Sequence, residues 1–377
     1  MNILHLVESL ERGGLERVVV NLALAQQAAG HAVAVVCLFR EGALAAELSA
    51  AGVRVTCAAK SASLDWRAVR HVRRELASLS AEVLHTHNAM ANYYGVLAAL
   101  GRRVRVVNTR HGMGSSSAKA LTERLYRASL LRTTAVAAVC EHARRHFVAT
   151  RMVPARLAHV VRNGIRVEDF TAASPETRTR ARAMLGLAAH AYVVGTVGRL
   201  NWAKDHALLI DSFAALEQQV PGSRLVVIGD GDLRPTLQQH ATRAGVAGRV
   251  TFAGDRGDVP LLLAAFDVFA LTSVTEGYSI ALLEAAAAGV PIVASDVGGN
   301  CEIVQDGSTG VIVRERTAES FVRALAALAE SNERRTAMGN SARRWAETFG
   351  SVASMAESYA SLYSAESESA AWRGARA

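Results

Sequence analysis

Short apolar runs alternate with segments of helical period along nearly the whole chain, and they do so in two successive series. The first series is Ile3–Val7, Val33–Leu38, Val53–Thr56, Val83–Thr86, Val104–Asn108 and Ala135–Val139. The second is Tyr192–Val197, Leu225–Ile228, Val250–Phe252, Val268–Leu271, Pro291–Ala294 and Val311–Val313. Strands that alternate with helices make a parallel sheet covered by helices on both faces. The helical period is explicit in Trp66–Leu79, where Trp66, Val69, Val72, Leu76 and Leu79 recur at three and four. At 377 residues the chain exceeds one ordinary core. The pattern therefore predicts an α/β protein of two Rossmann-like domains, without a sequence repeat.

The polar stretch Asn163–Pro175, with Gly164 and Pro175, reads as the linker. The expected divisions are 1–170, 171–349 and a C-terminal segment 350–377. Beyond Val313 helices are expected over Ala318–Glu330, from Glu333 to about Phe349, and over Val352–Ser364. The Ser/Glu/Ala-rich tail that follows is expected to fray. Two such domains are expected to place a ligand cleft between the carboxyl ends of their strands.

Composition narrows the class. Hydrophobic content of 50% and charge of 20% fit a globular protein. No apolar run has membrane-spanning character. The chain opens into Ile3-Leu4-His5-Leu6-Val7 with no basic segment ahead of it, so no signal peptide is expected. Cys37, Cys57, Cys140 and Cys301 are scattered, without Cys-x-x-Cys or Cys/His metal spacing. A reduced, cytoplasmic setting is the simplest expectation. The net charge of +8 belongs to the first half: residues 1–170 hold 23 Lys and Arg against 12 Asp and Glu, residues 171–377 hold 19 against 22. An anionic surface or acceptor on that side accounts for this, and so does a well-solvated basic surface.

The residues at the strand ends carry the chemistry. Glu276-Gly277-Tyr278-Ser279-Ile-Ala-Leu-Leu-Glu284 places two carboxylates eight apart, one ahead of a helix and one inside it. That spacing suits a ligand with hydroxyls at both ends, such as a sugar nucleotide. Gly198-Arg199-Leu200-Asn201-Trp202-Ala203-Lys204 sets a planar fork and a point charge on one loop, able to close on a diphosphate. Lys204 is one of only three lysines, with Lys60 and Lys119. Gly13-Gly14 opens the first helix; the pair lets a phosphate approach a helix start, or simply makes a tight turn. It is not a G-x-G-x-x-G fingerprint.

Gly229-Asp230-Gly231-Asp232 either contacts base or ribose or turns the chain. Phe252-Ala253-Gly254 ends the next strand near the expected base. Pro291–Gly299, followed by Asn300-Cys301-Glu302, either lines the sugar region or only turns. His87, Asn88 and His111 follow strands of the first half, where a histidine can bond a sugar hydroxyl or stand idle in a loop. His85 reads as structural. Asp230-Gly-Asp232 has the spacing of a metal-holding pair, but its glycines favour a turn. The expected diphosphate charge then falls to Arg199, Lys204 and helix starts, with no metal.

Taken in order, Arg199-x4-Lys204, Glu276-x7-Glu284 and Gly298-Gly299-x2-Glu302 resemble the retaining glycosyltransferases of family 4, which have the GT-B fold. Gly13-Gly14, His111-Gly112, Asn163-Gly164, Gly229-Asp230-Gly231 and Phe252-x-Gly254 extend the resemblance over nearly the whole chain. It implies that Arg199 and Lys204 bind the donor diphosphate and stabilise the departing nucleotide. It implies that Glu284 holds the ribose, Glu276 lies near the donor sugar, and His111 lies beside that sugar. Backbone amides at Gly14 and at Gly277, Tyr278 and Ser279 would complete the phosphate site. It further implies a metal-independent reaction with retention, and a last helix that crosses back to the first domain. Three positions depart from the family pattern: Asp205 and Ser279 stand where Gly is common, and Arg166 where Asp is frequent.

Relatives often extend lipid-linked sugars, so the expected partners are a nucleotide sugar and a glycan or lipid-linked saccharide acceptor. Peripheral contact with anionic membrane is expected through Arg67, Arg70, Arg73 and Arg74 on one helix and Lys119, Arg124, Arg127 and Arg132 on another. The alternative is that both helices only pack and solvate their charges. Two rival readings stand: a GT-B sugar-nucleotide epimerase, and a polyanion-binding protein suggested by the basic pI. The latter has no nucleic-acid motif and few aromatics to stack on bases, so no specific nucleic-acid partner is expected.

Overall fold

The computed structural model describes residues 1–62, 64–112, 120–170 and 174–364. Two compact units divide the chain: Met1–Gly164 with the stretch from Val352 onward, and Ile165–Ser351. Lys119 and the tail beyond Ser364, both invoked from sequence, lie outside the described residues.

The first unit is built on seven strands: β1 (Asn2–Ser9), β2 (Ala32–Arg40), β3 (Arg54–Cys57), β4 (Val83–His87), β5 (Arg105–Arg110), β6 (Ala135–Ala138) and β7 (Ala158–Val160). They lie in the order β3-β2-β1-β4-β5-β6-β7, and every pairing is parallel. Register runs directly, with Leu4 opposite Ala34 and Leu84. Alternate residues of β2 serve opposite faces. Ala34, Val36 and Leu38 join Leu4, Leu6 and the helix residues Val69, Val72 and Leu76. Val33, Val35 and Cys37 join Val7, Val19, Val20 and Leu48. A sheet buried on both faces is why its strands read as continuous apolar runs.

The helix Trp66–Ser78 is started by Asp65, whose Oδ1 accepts from the Arg67 amide at 2.9 Å. Its stripe packs as expected except at Trp66, which is 57% exposed.

The second unit has six strands: β8 (Val193–Val197), β9 (Arg224–Ile228), β10 (Val250–Gly254), β11 (Val268–Leu271), β12 (Ile292–Ser295) and β13 (Gly310–Val313). Their order, β10-β9-β8-β11-β12-β13, repeats the first six positions of the other sheet. Val194, Leu225, Val227, Val268 and Val293 pack against Leu209, Phe213, Leu216, Phe321 and Leu325 from two helices. At the amino edge Asp267 accepts from Arg178 and Arg182 and from the Val193 amide, tying the helix Pro175–Met184 to the sheet.

All twelve strands read from the sequence are present. The thirteenth, β7, was not: Ala158-His159-Val160 is a three-residue edge strand, too short and too exposed for an apolar run. The final helix, Val352–Ser364, belongs to the first unit, as the resemblance implied. It buries Met355, Tyr359, Leu362 and Tyr363 there.

Candidate active site

In each sheet the strand order reverses between the two central strands, the position where open parallel sheets bind ligands at their carboxyl ends. In the second unit that point lies between β8 and β11. Gly198 to Lys204 follows β8 and Glu276 follows β11. The two loops are clamped together. Thr272 Oγ1 donates to the carbonyls of Lys204 and Asp205 at 3.1 and 2.9 Å, and the Val274 amide donates to Ala203 at 2.8 Å. The clamp brings Lys204 Nζ to 2.6 Å from Glu276 Oε1, which also accepts from Ser273 Oγ at 2.6 Å. The two side chains are 20% and 9% exposed, so the pair is partly withdrawn from water, where charge-assisted bonds are strong.

Asp205 adopts the left-handed conformation, φ +47°. That torsion explains why glycine suits this position, and why Asp, which tolerates it, can replace it. The Asp side chain adds contacts glycine lacks: Oδ1 caps the Leu208 amide and Oδ2 pairs with Arg316. Arg199 stands exposed, and its guanidinium makes no hydrogen bond or ion pair among the described residues.

Glycines allow the strand-end loops to meet. A Cβ on Gly229 would lie 2.0 Å from the Gly198 carbonyl oxygen, and one on Gly298 1.9 Å from that of Glu276. Both have positive φ, +131° and +57°. The Gly299 amide donates to the Gly277 carbonyl at 2.8 Å. Tyr278 is buried. Ser279, at φ −71°, needs no glycine torsion, which accounts for that departure from the family pattern. It opens the helix Ile280–Ala287, and its hydroxyl is buried without a hydrogen-bond partner among the described residues. Glu284, half-buried, lies in the second turn of that helix. The far end is held by Arg343, which donates to the Ala287 carbonyl at 2.7 Å.

Asp230 is spent locally. Its carboxylate accepts from the Gly231 amide at 2.8 Å and from Arg234 at 2.7 Å, and these bonds hold it below the usual carboxylate range. Arg166 pairs with Asp169 at 2.9 Å.

In the first unit the reversal lies between β1 and β4. Gly13 precedes the helix Gly14–Ala28 with φ −175°, extended backbone that any residue adopts, so its small size matters for approach alone. Asn88, at φ +68°, uses its carbonyl to accept from Asn108 and its Oδ1 to accept from the His111 amide at 3.2 Å. His111 thereby sits beside the end of β4. Its Nε2 lies 3.0 Å from His87 Nδ1, and His87 Nε2 lies 3.1 Å from His5 Nδ1. His5 Nε2 reaches Gln26 Oε1 at 2.7 Å, and Gln26 donates to the Tyr363 hydroxyl at 3.1 Å. That hydroxyl contacts His85 Nδ1 at 2.7 Å, and His85 Nε2 contacts Thr109 Oγ1 at 2.7 Å. Thr109 contacts the Tyr359 hydroxyl at 2.8 Å.

Burial pushes His5 down to about 4 and His111 to about 3, and His85 and His87 well below the ordinary histidine value. All four imidazoles are neutral at neutral pH. The fold thus assembles His5, His85 and His87 with ring nitrogens within 4.8 Å of one another, a cluster the sequence spacing did not announce. Each of those rings has both nitrogens committed to the chain of hydrogen bonds just described.

Glycosyl transferases group 1 is the family matched by residues 177–345, and Glycosyltransferase Family 4 the one matched by residues 12–169. The chain is 31% identical over 315 residues to a GDP-mannose-dependent alpha-(1-6)-phosphatidylinositol monomannoside mannosyltransferase of Mycolicibacterium smegmatis, covering 76% of this chain and 81% of that one. It is 31% identical over 202 residues to the putative glycosyltransferase EpsD of Bacillus subtilis; there the match spans 54% of this chain and just over half, 53%, of the relative. The crystal structure of Anabaena Alr3699/HepE in complex with UDP superposes with a TM-score of 0.85 at 25% identity, covering 97% of this chain and 100% of that one.

Two parallel Rossmann-like sheets, the family matches and the structural likeness define a glycosyltransferase of the GT-B fold. Within that class, the chain belongs to glycosyltransferase family 4.

The fold brings Lys204, Glu276 and Ser279 to one switch point. Sequence reasoning singled out all three without pairing Lys204 with Glu276. It missed Thr272, Ser273 and Arg316, whose roles come from contacts remote in sequence. It also missed the histidine chain beyond His87 and His111. The signal for it was present as His5 and His85 inside apolar strands, where an unpaired imidazole would be costly.

Proposed function

We propose that this protein is a retaining, metal-independent glycosyltransferase that moves a hexose or N-acetylhexosamine from a UDP- or GDP-linked donor to a hydroxyl of a lipid-linked saccharide or similar glycan, in bacterial surface polysaccharide synthesis. The observation that carries this reading is the Lys204–Glu276 pair at the β8/β11 switch point, with Arg199, five residues before the lysine, unpaired among the described residues. Arg199 and Lys204 meet the donor diphosphate and stabilise the charge on the departing nucleotide. The Ser279 hydroxyl, without a partner among the described residues, and the first amides of its helix receive a phosphate oxygen. Gly14 offers a further helix-start amide. Glu284 takes the ribose hydroxyls, and Glu276 orders Lys204 and bonds the sugar. His111 offers a sugar hydroxyl an imidazole. Gly198, Gly229, Asp230 and Gly277 shape the loops around these groups.

In the reaction, an acceptor oxygen bonds to the anomeric carbon on the face the nucleotide leaves. The carbon–phosphate oxygen bond breaks, and the acceptor proton passes to the departing phosphate. The relatives' names support a nucleotide sugar and leave its base open, since one names GDP-mannose and another structure holds UDP. Asp230, engaged by Gly231 and Arg234, is poorly placed to ligate a metal, which favours cations as the charge partners.

A thermal-shift panel of UDP- and GDP-sugars, followed by donor turnover in Glu276→Ala and Lys204→Ala, tests the reading. Unchanged donor binding and turnover in both variants would overturn it.

The basic helices support peripheral contact with anionic membrane at the cytoplasmic face. Trp66, Leu121 and Leu131 are 57%, 61% and 83% exposed among Arg67, Arg70, Arg74, Arg124 and Arg132. Arg73 is partly committed, donating to the carbonyls of Ala98 and Leu100. No helix among the described residues is long and apolar enough to cross a membrane. Flotation with anionic vesicles at low salt is the test; failure to float would discard this contact.

A further inference from the structure

Arg110 closes β5 at the carboxyl end of the first sheet and pairs with Ala138 of β6. It is 6% exposed, with its guanidinium carbon 4.6 Å from the centre of the Tyr126 ring and 5.5 Å from that of Phe147. Aromatic faces attract a cation without neutralising it. Tyr126 donates its own proton to Asn108 Oδ1 at 3.0 Å, and burial pushes its phenol up to about 12, so it supplies no counter-charge. The acidic residues of the adjoining helices are spent elsewhere. Glu123 pairs with Arg127 at 3.4 Å, and Glu141 with Arg144 and Arg145 at 2.7 and 2.9 Å. Arg110 Nη1 is buried without a hydrogen-bond partner among the described residues.

Arg182 shows how this chain treats an arginine it buries for structure. It is 3% exposed and donates to Asp267 Oδ2 at 2.8 Å, to the carbonyls of Ala265 and Ala188, each at 3.2 Å, and to that of Ala189. Arg110, nearly as deep, has neither carboxylate nor carbonyl among the described residues. A buried cation in that condition is an unmet demand, and a bound anion meets it. The flanking helices, Ala120–Ser129 and Glu141–Ala149, carry Arg124, Arg127, Arg144 and Arg145 against Glu123 and Glu141. The second starts just past the end of β6, so its positive end adjoins the same corner. This surplus suits a phosphate, with up to two charges, better than a carboxylate with one.

We propose that Arg110 is the centre of a phosphate-binding site in the first unit, and that its ligand is the phosphate through which an acceptor saccharide is joined to its lipid. The phosphate half stands on the surroundings of Arg110; the acceptor half rests on the transferase reading.

The test uses the full chain carrying Arg199→Ala and Lys204→Ala, so that the loop after β8 adds no phosphate binding of its own. Calorimetric titration compares N-acetylglucosamine 1-phosphate, glycerol 3-phosphate and inorganic phosphate. The sugar phosphate should bind tightest. Arg110→Met, of similar length without charge, should weaken its binding about tenfold or more. Arg110→Lys keeps the charge, loses the fork and should recover only part. Without ligand, Arg110→Met should melt no lower than its parent, because it removes an uncompensated buried cation, whereas Arg182→Met should melt lower. Absence of phosphate binding, or binding indifferent to Arg110→Met, would overturn the site. So would an Arg110→Met melt depressed as far as that of Arg182→Met. Glycerol 3-phosphate or inorganic phosphate bound as tightly as the sugar phosphate would assign the ligand to a lipid headgroup or a free ion and overturn the acceptor half. A wild type that binds the sugar phosphate through Arg110 yet turns over no UDP-glucose, UDP-N-acetylglucosamine or GDP-mannose refutes the transferase reading and leaves the phosphate site standing.

Discussion

The two units share one strand order and furnish its switch point with opposite chemistry. In the second unit the carboxyl ends carry full charges: Lys204 with Glu276, Asp205 with Arg316, Asp230 with Arg234. In the first, His87 and His111 at the strand ends continue into a chain of uncharged groups, His5, Gln26, Tyr363, His85, Thr109 and Tyr359, hydrogen-bonded one to the next. One topology thus supports one switch point furnished with full charges and one furnished with neutral polar groups. The fold supplies the place and the side chains decide the ligand.

The contrast is broken most severely at the charged end. Lys204→Ala removes the cation and leaves Glu276, among the described residues, with Ser273 alone. Donor turnover should fall by about 10²-fold or more, the scale of losing one donor to a developing oxyanion. Lys204→Arg, longer and forked, should recover little of this. Near-normal kcat in Lys204→Ala would show that the charged switch point is structural.

The neutral end should break on acidification. The unfolded chain binds protons to its histidines near 6.5, whereas His5 stays neutral in the fold down to about 4 and His111 to about 3. Between those values the unfolded state holds more protons, so stability falls as pH drops. The slope is about 1.4 kcal/mol per pH unit for each such histidine. Urea midpoints at pH 7.5 and 5 should therefore differ, and hydrogen exchange should rise first in the first unit. His206, also held down to about 4 by burial and Lys204, gives the second unit a smaller share. Equal acid sensitivity of the two units would contradict the contrast.

A milder effect is expected at Asp205. Asp205→Ala loses the cap and the Arg316 pair while keeping a Cβ in the left-handed region, and should cost about 1–2 kcal/mol. Asp205→Gly relieves the torsion and should cost less. If thermal melts rank them the other way, the torsion is not what selects this residue. The smallest effect belongs to Asp230→Asn. Its side chain is 49% exposed and its partners are local, so the thermal melt should be indistinguishable from that of the wild type.

The strands were legible because a sheet covered on both faces demands uninterrupted apolar runs, and β7 escaped because an edge strand does not. Individual candidate residues were named where a family pattern fixes them by spacing. Their pairing was not, since Lys204 and Glu276 lie 72 positions apart and meet only through the loop clamp made by Thr272. The histidine chain was the least legible. Tyr359 and Tyr363 complete it from the far end of the sequence, and no local periodicity links them to His85 or Thr109.

That last helix also sets an order of events during synthesis. Tyr359 is made 250 residues after Thr109, and Tyr363 278 after His85. At roughly 5–20 residues per second, the nascent first unit waits on the order of tens of seconds with the polar middle of its sheet uncovered. The unit that leaves the ribosome first is therefore the last to be finished, and the interval is one in which a chaperone has something to hold.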